Sequence, residues 1–244
     1  MPSKSSGKHE YWAVVPAAGV GKRMQADRPK QYLPLLNKTV IEHTLDRLFA
    51  LPEINGVVVS ISEEDAYWDN LAYHSSKPLL IAAGGSERSD SVLNALYCLR
   101  DQSVNSQNVW VLVHDAARPC VREDDIQTLI KQASDENGGL LALPVRDTMK
   151  RGTLKDGAPE QVIDHTVNRE GLWHALTPQM FRLDLLIDAL QHAQQQSQPV
   201  TDDASAMELA GFKPRLIEAH EDNIKITRAF DLQLATLFLQ HQLR

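Results

Sequence analysis

The sequence lacks the features that mark several special classes of protein. It has two cysteines, Cys98 and Cys120, and they form no CxxC pair, so we expect two buried free thiols and no disulfide framework. No stretch without Asp, Glu, Lys or Arg exceeds 13 residues, whereas a membrane-spanning helix needs about 20 apolar residues. Residues 1–10 have no apolar core typical of a signal peptide. We therefore expect a cytoplasmic protein with a mobile tail at residues 1–10 and no membrane contact.

Positive charge is also in deficit. The chain has 25 Lys and Arg against 32 Asp and Glu, a formal net charge of −7. A field of this sign repels polyanions, so nucleic acid is not an expected partner. Hydrophobic residues make up 43% and charged residues 23% of the chain, which is typical of a folded globular protein. At roughly 150 residues per domain, the length allows one large domain or one domain with an appendage, and we assign residues 11–244 to a single domain.

Short apolar runs alternate with helical patterns along much of the chain. Near-continuous apolar strands are typical of a parallel sheet covered by helices on both faces, so the pattern predicts an α/β fold. Two capping boxes, at residues 39–42 and 62–65, predict helix starts. The predicted strands lie at residues 11–16, 57–61, 79–83, 109–113, 140–145 and 215–218, and the predicted helices follow the two capping boxes and cover residues 92–99, 126–133, 183–195, 204–210 and 230–243.

Residues 146–166 interrupt this alternation with a polar segment that has no helical period. Two extended pieces, residues 147–152 and 161–166, are spaced to pair as a hairpin. An arm that projects from a compact domain usually needs a partner surface. We therefore predict a homodimer formed through an arm within about residues 146–170.

The segment VPAAGVGKRM at residues 15–24 follows the first predicted strand and continues to PKQ at residues 29–31. It matches neither a Walker A loop nor a dinucleotide fingerprint, because Pro16 and Met24 stand where those motifs need glycine. Small residues let backbone N–H groups approach an anion closely. The small residues and nearby cations predict a triphosphate or pyrophosphate cradle, and a solvated turn with surface lysines is the alternative; the residues are Ala17, Ala18, Gly19, Gly21, Lys22, Arg23, Arg28 and Lys30.

Asp115 lies two residues after the apolar run at residues 109–113. Open α/β sheets bind ligands at the carboxyl ends of their strands, and Mg²⁺ prefers one or two carboxylates together with phosphate oxygens. Asp115 is therefore a candidate Mg²⁺ ligand, although an Asp before Ala116 and Ala117 could also simply form a turn. His114 is expected to make local hydrogen bonds rather than to bind a metal.

Further motifs follow in order along nearly the whole chain: PKQY at residues 29–32, GGSERSDS at 84–91, VHDAARP at 113–119, PVRDTMK at 144–150, HTVNR at 165–169, LWHALTPQ at 172–179, TDDAS at 201–205 and DNIKIT at 222–227. With the glycine loop, this series resembles the nucleotidyltransferase superfamily that activates sugar and polyol phosphates. Within it, the series is most similar to the 2-C-methyl-D-erythritol 4-phosphate cytidylyltransferases of the non-mevalonate isoprenoid pathway.

The resemblance implies a three-layer, Rossmann-like nucleotidyltransferase fold with a mostly parallel sheet and a projecting β-arm. It also implies a Mg²⁺-dependent enzyme in which the phosphate of the polyol attacks the α-phosphorus of CTP and pyrophosphate leaves. The implied catalytic residues are Arg23, Lys30, Arg169 and Lys225. The implied nucleotide-binding residues are Pro16, Ala17, Ala18, Gly19, Gly21, Lys22, Gly85, Ser86, Ser91 and Asp115. The implied residues for the polyol phosphate are Asp115, Arg118, Thr148, Arg169, Thr201 and Lys225.

Several alternatives stay open at the level of sequence. The acceptor could be another polyol phosphate, such as ribitol 5-phosphate, because the core motifs would be similar. A noncatalytic nucleotide-binding regulator could use the same fold, since fold does not determine function. Residues 201–202 are also expected to cap the helix that follows them. Trp173 is expected to pack in the core.

Overall fold

The computed structural model describes residues 9–19, 27–102, 108–135, 137–154 and 161–242, and within them one seven-stranded sheet dominates. From one edge to the other its strands are Arg215–Glu218 (β11), Gly139–Pro144 (β7), Trp173–Arg182 (β10), Val109–Val113 (β6), Glu10–Pro16 (β1), Ile54–Ile61 (β4) and Leu79–Ala83 (β5). Among these strands β10 alone runs antiparallel to its neighbours. The sheet is therefore mostly parallel, as the sequence predicts.

Helices cover both faces of this sheet. One face carries Val40–Ala50 (α1) and Glu123–Gln132 (α3), and the other carries Arg88–Gln102 (α2), Leu183–Gln195 (α4) and Asp203–Leu209 (α5). Successive side chains of β1 alternate between the two apolar layers, since Ala13 and Val15 pack with α1 whereas Val14 packs with α2. A last helix, Ala229–Gln242 (α6), packs through Ala235 and Leu239 on a third apolar cluster. The three-layer α/β fold is confirmed.

None of the helices in the described part of the chain is long and apolar enough to span a bilayer. The capping box at the start of α1 is present, because the Thr39 hydroxyl accepts a hydrogen bond from the backbone of Glu42 and the Glu42 carboxylate accepts one from the backbone of Thr39 at 2.7 Å. The predicted helix after residues 62–65 is wrong. Asp65 instead accepts hydrogen bonds from the backbones of Tyr67 and Trp68, which leads into a short 3-10 helix at Trp68–Leu71.

One strand of the sheet was not predicted from the sequence, whereas the hairpin that precedes it was. Strand β10 has no predicted counterpart, because its polar residues and Pro178 give no strand pattern. Before it, Met149–Leu154 (β8) and Gln161–Val167 (β9) pair antiparallel in a separate two-stranded sheet with Val162 and Ile163 exposed. The hairpin is thus observed, and its role as an arm between subunits stays a prediction.

Smaller expectations also need adjustment. Strand β1 begins at Glu10, which pairs with Val109, so Glu10 is not part of the tail expected at residues 1–10. Residues 1–8 of that expected tail lie outside the described residues. Cys98 and Cys120 are free thiols, but Cys98 is only half-buried. Trp173 is half-buried rather than part of the core, because it lies at the start of β10 beside exposed residues. Two further short strands, Pro34–Leu35 (β2) and Lys38–Thr39 (β3), form a small hairpin before α1.

Candidate active site at the carboxyl ends of the parallel strands

A cavity of about 510 Å³ opens where loops follow the carboxyl ends of β1, β5 and β6. This edge is where open α/β sheets bind their ligands. Most of the nucleotide-site residues predicted from the sequence meet here, together with the two predicted catalytic lysines that the structure describes. They are Pro16, Ala17, Ala18, Gly19, Lys30, Gly85, Ser86, Ser91, Asp115 and Lys225.

Asp115 is the centre of a charged cluster in this cavity. Its Oδ1 accepts a hydrogen bond from Arg88 Nε at 3.2 Å, and its Oδ2 lies 2.8 Å from Lys225 Nζ and 3.4 Å from Arg118 Nε. Burial alone would raise the pKa of Asp115, but the charges of Arg88, Lys225 and Arg118 outweigh this effect and hold its pKa below the ordinary value. Asp115 is therefore a carboxylate at neutral pH.

The cluster carries excess positive charge within a chain of net charge −7. Arg88 also donates to the buried Asp203 at 2.9 Å, so three cations are balanced by only two carboxylates. Lys30 adds a further ammonium group to the cavity wall and donates to the carbonyl of Ile226 at 3.0 Å. Such a cavity attracts a polyphosphate even though the whole molecule repels polyanions.

A buried hydrogen-bond network fixes the loop that carries Asp115. The Thr177 hydroxyl accepts from the backbone N–H of Asp115 at 3.1 Å and lies 3.0 Å from Nδ1 of His114, whose Nε2 lies 3.0 Å from the carbonyl of Arg118. Because a carbonyl only accepts, Nε2 carries the proton and Nδ1 accepts from Thr177. Burial lowers the pKa of His114 to about 4, so the imidazole stays neutral. His114 makes local hydrogen bonds, as expected from the sequence.

The glycine loop is held from the other side by Gln31, which is buried. Its Nε2 donates to the carbonyls of Ala17 at 2.6 Å and Gly19 at 3.2 Å. A Cβ on Gly84 would lie 2.3 Å from the Cβ of Ala18, so the loop after β5 approaches the glycine loop closely because it has no side chain there. Gly21, Lys22 and Arg23 of the predicted cradle lie outside the described residues.

The remaining predicted residues do not line this cavity in the described part of the chain. Arg118 contacts Asp115, which lines the cavity, but does not itself line it. Thr148 and Arg169 are exposed at the base of the β8–β9 hairpin, where Arg169 donates to the carbonyl of Arg146. Thr201 is exposed, and Asp202 rather than Thr201 caps α5 by accepting from the backbone of Ser205.

Arg88, Asp203 and Gln31 are parts of the site that the sequence analysis did not assign. Arg88 stands inside the GGSERSDS motif and Gln31 inside PKQY, so their motifs were the available signal. Asp203 stands inside the TDDAS motif, which was likewise its available signal. Its contact with Arg88 spans 115 residues of sequence and is created by the fold.

The donor set around Asp115 does not fit Mg²⁺ bound by this carboxylate, because cationic side chains already engage both of its oxygens. Among the described residues, the other carboxylate that lines the cavity belongs to Glu87. Its side chain is exposed and has no hydrogen-bond or ion-pair partner within these residues. A cluster of Asp124, Asp125 and His220 lies elsewhere, at the start of α3, and His220 there bonds to Asp125. The expectation that Asp115 binds Mg²⁺ therefore has no support in the geometry.

The chain matches known proteins along almost its whole length. The family model for 2-C-methyl-D-erythritol 4-phosphate cytidylyltransferase matches residues 11–241. A protein of this name from Vibrio vulnificus is 52% identical over 231 residues, which cover 94% of each chain. A crystal structure of 4-diphosphocytidyl-2C-methyl-D-erythritol synthase superposes with a TM-score of 0.81 and 35% identity, covering 95% of this chain and 100% of that one. The Francisella tularensis cytidylyltransferase superposes with a TM-score of 0.79 and 34% identity, over 94% of this chain and 99% of that one. The chain therefore belongs to the 2-C-methyl-D-erythritol 4-phosphate cytidylyltransferase family.

Proposed function

We propose that this protein transfers the cytidylyl group of CTP to 2-C-methyl-D-erythritol 4-phosphate in the cavity around Asp115. An oxygen of the acceptor phosphate attacks the α-phosphorus of CTP, the bond from the α-phosphorus to the bridging oxygen breaks, and pyrophosphate leaves with the electron pair. The products are 4-diphosphocytidyl-2-C-methyl-D-erythritol and pyrophosphate. The observation that carries this proposal is the cluster of three cations around one buried carboxylate in a member of this family.

The cations of the cavity supply what this reaction needs. Negative charge gathers around the five-coordinate phosphorus, and positioned cations stabilise it. Lys225 and Lys30 are the groups proposed to do so, and the Asp115 carboxylate, 2.8 Å from Lys225, holds that ammonium group in place. On the strength of the family motif, Arg23 keeps the same proposed role and Lys22 is proposed to bind the nucleotide. A hard divalent cation is proposed to accompany CTP through its phosphate oxygens.

No protein base is required, because the attacking group is already an ionised phosphate. Asp115 is unsuited to accept a proton, since nearby cations hold its pKa below the ordinary value. His114 is completely buried, and burial lowers its pKa to about 4. The residues of the site therefore act by binding and electrostatic stabilisation.

Cytosine is proposed to bind beside Gly85, Ser86 and Ser91. The Ser91 hydroxyl accepts from the backbone of Gly85 at 3.0 Å, which shapes this loop. Ser86 donates its hydroxyl to Asp90 at 2.6 Å, so its side chain already has a partner. Recognition of the 4-amino group of cytosine by a backbone carbonyl of this loop is therefore favoured over recognition by the Ser86 side chain.

The chain is further proposed to act as a cytoplasmic homodimer in which the β8–β9 hairpin reaches the neighbouring subunit. Thr148 and Arg169 lie at the base of this hairpin and outside the cavity of their own chain, and Val162 and Ile163 expose apolar side chains on it. Thr201 is proposed to meet the hydroxyl groups of the polyol, and Arg118 to act on the acceptor side of Asp115.

Mixed dimers test this arrangement. Subunits with Arg169→Ala and subunits with Lys225→Ala are each expected to be inactive. If Arg169 acts in the neighbouring site, each mixed dimer regains one intact site and turnover returns on mixing. Turnover that stays absent although mixed dimers form would refute the exchange of Arg169 between subunits.

The function itself is tested by measuring pyrophosphate release with Mg²⁺, each of the four nucleoside triphosphates, and either 2-C-methyl-D-erythritol 4-phosphate or ribitol 5-phosphate. We expect turnover only with CTP and the methylerythritol phosphate. Turnover confined to ribitol 5-phosphate would keep the mechanism and change the acceptor. Binding of CTP without turnover on either acceptor would favour a nucleotide-binding regulator.

A further inference from the structure

Asp203 is a buried carboxylate close to the cavity but outside its wall. It is the first residue of α5, and its side chain is 1% exposed. Its Oδ2 accepts from Arg88 Nη2 at 2.9 Å, whereas its Oδ1 has no hydrogen-bond partner among the described residues. Within the described part of the chain, the negative charge of Asp203 is therefore balanced by Arg88 alone.

A buried carboxylate with a single partner contributes little to the stability of a fold. The cost of removing both charges from water often exceeds the gain from the ion pair, so a buried pair taken as a whole contributes little to stability. Burial accordingly raises the pKa of Asp203 even though Arg88 opposes this effect. The carboxylate at this position is better explained by what it does to Arg88.

Arg88 is held between two carboxylates. Its Nε bonds to Oδ1 of Asp115 at 3.2 Å, and its Nη2 bonds to Asp203. An arginine whose Nε and Nη2 both faced Asp115 would form a two-pronged pair and engage both carboxylate oxygens. Because Asp203 binds Nη2, Oδ2 of Asp115 stays available to Lys225 at 2.8 Å.

The backbone of Asp203 is itself anchored to the sheet. Gln179 on β10 accepts from the backbone N–H of Ala204 at 2.8 Å and donates to Asp202 at 2.8 Å. These two bonds fix the first turn of α5 on both sides of Asp203. Its carboxylate is thus a counter-charge at a fixed position.

We propose that Asp203 is a positioning residue for the cytidylyl transfer, which acts through Arg88 to keep Lys225 on Asp115. The same contact joins the loop at residues 84–91, on the proposed nucleotide side, to the segment at residues 201–205, on the proposed acceptor side. The inference rests on the proposed function, because Lys225 is its target.

Asp203→Asn tests the inference, since it preserves shape and removes the charge. We expect kcat to fall about 10-fold to 100-fold, as for groups that orient metal ligands, with KM for CTP changed less than kcat. Removing one partner of a buried ion pair is destabilising, so the midpoint of thermal unfolding should fall, and kcat is therefore measured well below that midpoint. A matched control is Asp184→Asn, an acid in the first turn of α4 that forms a half-buried pair with Arg182 outside the cavity, and it should leave kcat unchanged.

A double-mutant cycle separates positioning from structural support. If Asp203 acts through Arg88, then adding Asp203→Asn to Arg88→Gln should lower kcat no further. Independent losses that multiply, or a wild-type kcat in Asp203→Asn at an assay temperature well below its unfolding midpoint, would each overturn the inference. Absence of turnover in the wild-type enzyme would instead refute the proposed function.

Discussion

Replacing Asp115 with Asn removes the charge that holds the cationic cluster together while keeping the size of the side chain. Arg88, Arg118 and Lys225 all lie within 3.4 Å of this carboxylate, which is 9% exposed. Breaking a buried ion pair by removing one partner costs about 3–5 kcal/mol. Arg88 keeps Asp203 and Lys225 is 36% exposed, so we expect the lower end, about 3 kcal/mol. For a chain of this length that corresponds to a fall of about 6–12 °C in the unfolding midpoint.

Thermal unfolding followed by circular dichroism measures this loss at pH 7. Asp101→Asn is a suitable control, because its pair with Arg100 at 3.2 Å is exposed and should contribute less than about 1 kcal/mol. Turnover of Asp115→Asn should fall by about 100-fold to 1000-fold, as for the loss of a well-placed electrostatic group. An unchanged or higher midpoint would show that backbone contacts, and not Asp115, hold the cations in place, and would refute the reasoning.

The pH dependence of stability tests the same carboxylate, and the direction of the expected change follows from the pKa of Asp115. The folded state holds the pKa of Asp115 below its ordinary value of about 3.9. Its stabilisation is therefore complete above the unfolded pKa and is lost as the pH falls through the folded pKa. Urea unfolding of Asp115→Asn should thus depend less on pH than that of the wild type below about pH 4.

Three further predictions follow from buried groups. Burial lowers the pKa of His114 to about 4, so about 3 kcal/mol of stability should disappear as the pH falls from about 6.5 to 4, and His114→Asn should flatten that part of the urea-unfolding profile. Gln31→Leu should weaken CTP binding about 10-fold in calorimetry, because the buried carbonyl of Ala17 and the carbonyl of Gly19 lose their donor. Gln127→Leu on the surface should leave the affinity unchanged, and equal affinities of the two variants would contradict the role of Gln31. Burial raises the pKa of Cys120 to about 12, so a thiol reagent at pH 8 should modify half-buried Cys98 in the folded protein and Cys120 only after unfolding.

Strong local patterns predict elements that the structure contains. The run at Val109–Val113 is a completely buried strand because β-branched and apolar residues fill both faces of a parallel sheet. The strand predicted at Arg215–Glu218 and the helix predicted at Leu183–Gln195 have the same bounds in the structure. Thr39 and Glu42 satisfy each other at the start of α1, so a purely local signal was sufficient there.

Elements that depend on the rest of the fold could not be predicted in this way. Residues 62–65 match a capping box, but the Asp65 carboxylate instead accepts hydrogen bonds from the backbone of Tyr67, before a 3-10 helix, and from the hydroxyl of Tyr32, which is 33 residues away. Strand β10 carries a polar residue, Gln179, that is completely buried because it bonds to α5 and its own strand. Its partners are distant in sequence, so no local period identifies it.

The candidate site also combines a residue that the sequence could place with contacts that only the fold creates. Asp115 could be placed from sequence because the residue after a buried strand lies at the ligand-binding edge of the sheet. The cations that surround it come from residues 88, 118 and 225, and their convergence is a product of the fold. The Arg88 contact with Asp203 has no sequence pattern of its own.

The most direct test of the central claim compares the turnover of CTP and 2-C-methyl-D-erythritol 4-phosphate by Lys225→Gln and Lys213→Gln. Lys225 lines the cavity and contacts Asp115, whereas Lys213 is an exposed lysine outside the cavity. The account predicts a loss of about 100-fold to 1000-fold in kcat for Lys225→Gln and wild-type turnover for Lys213→Gln, with both proteins folded. Wild-type turnover by Lys225→Gln would contradict the claim that cytidylyl transfer takes place in the cavity around Asp115.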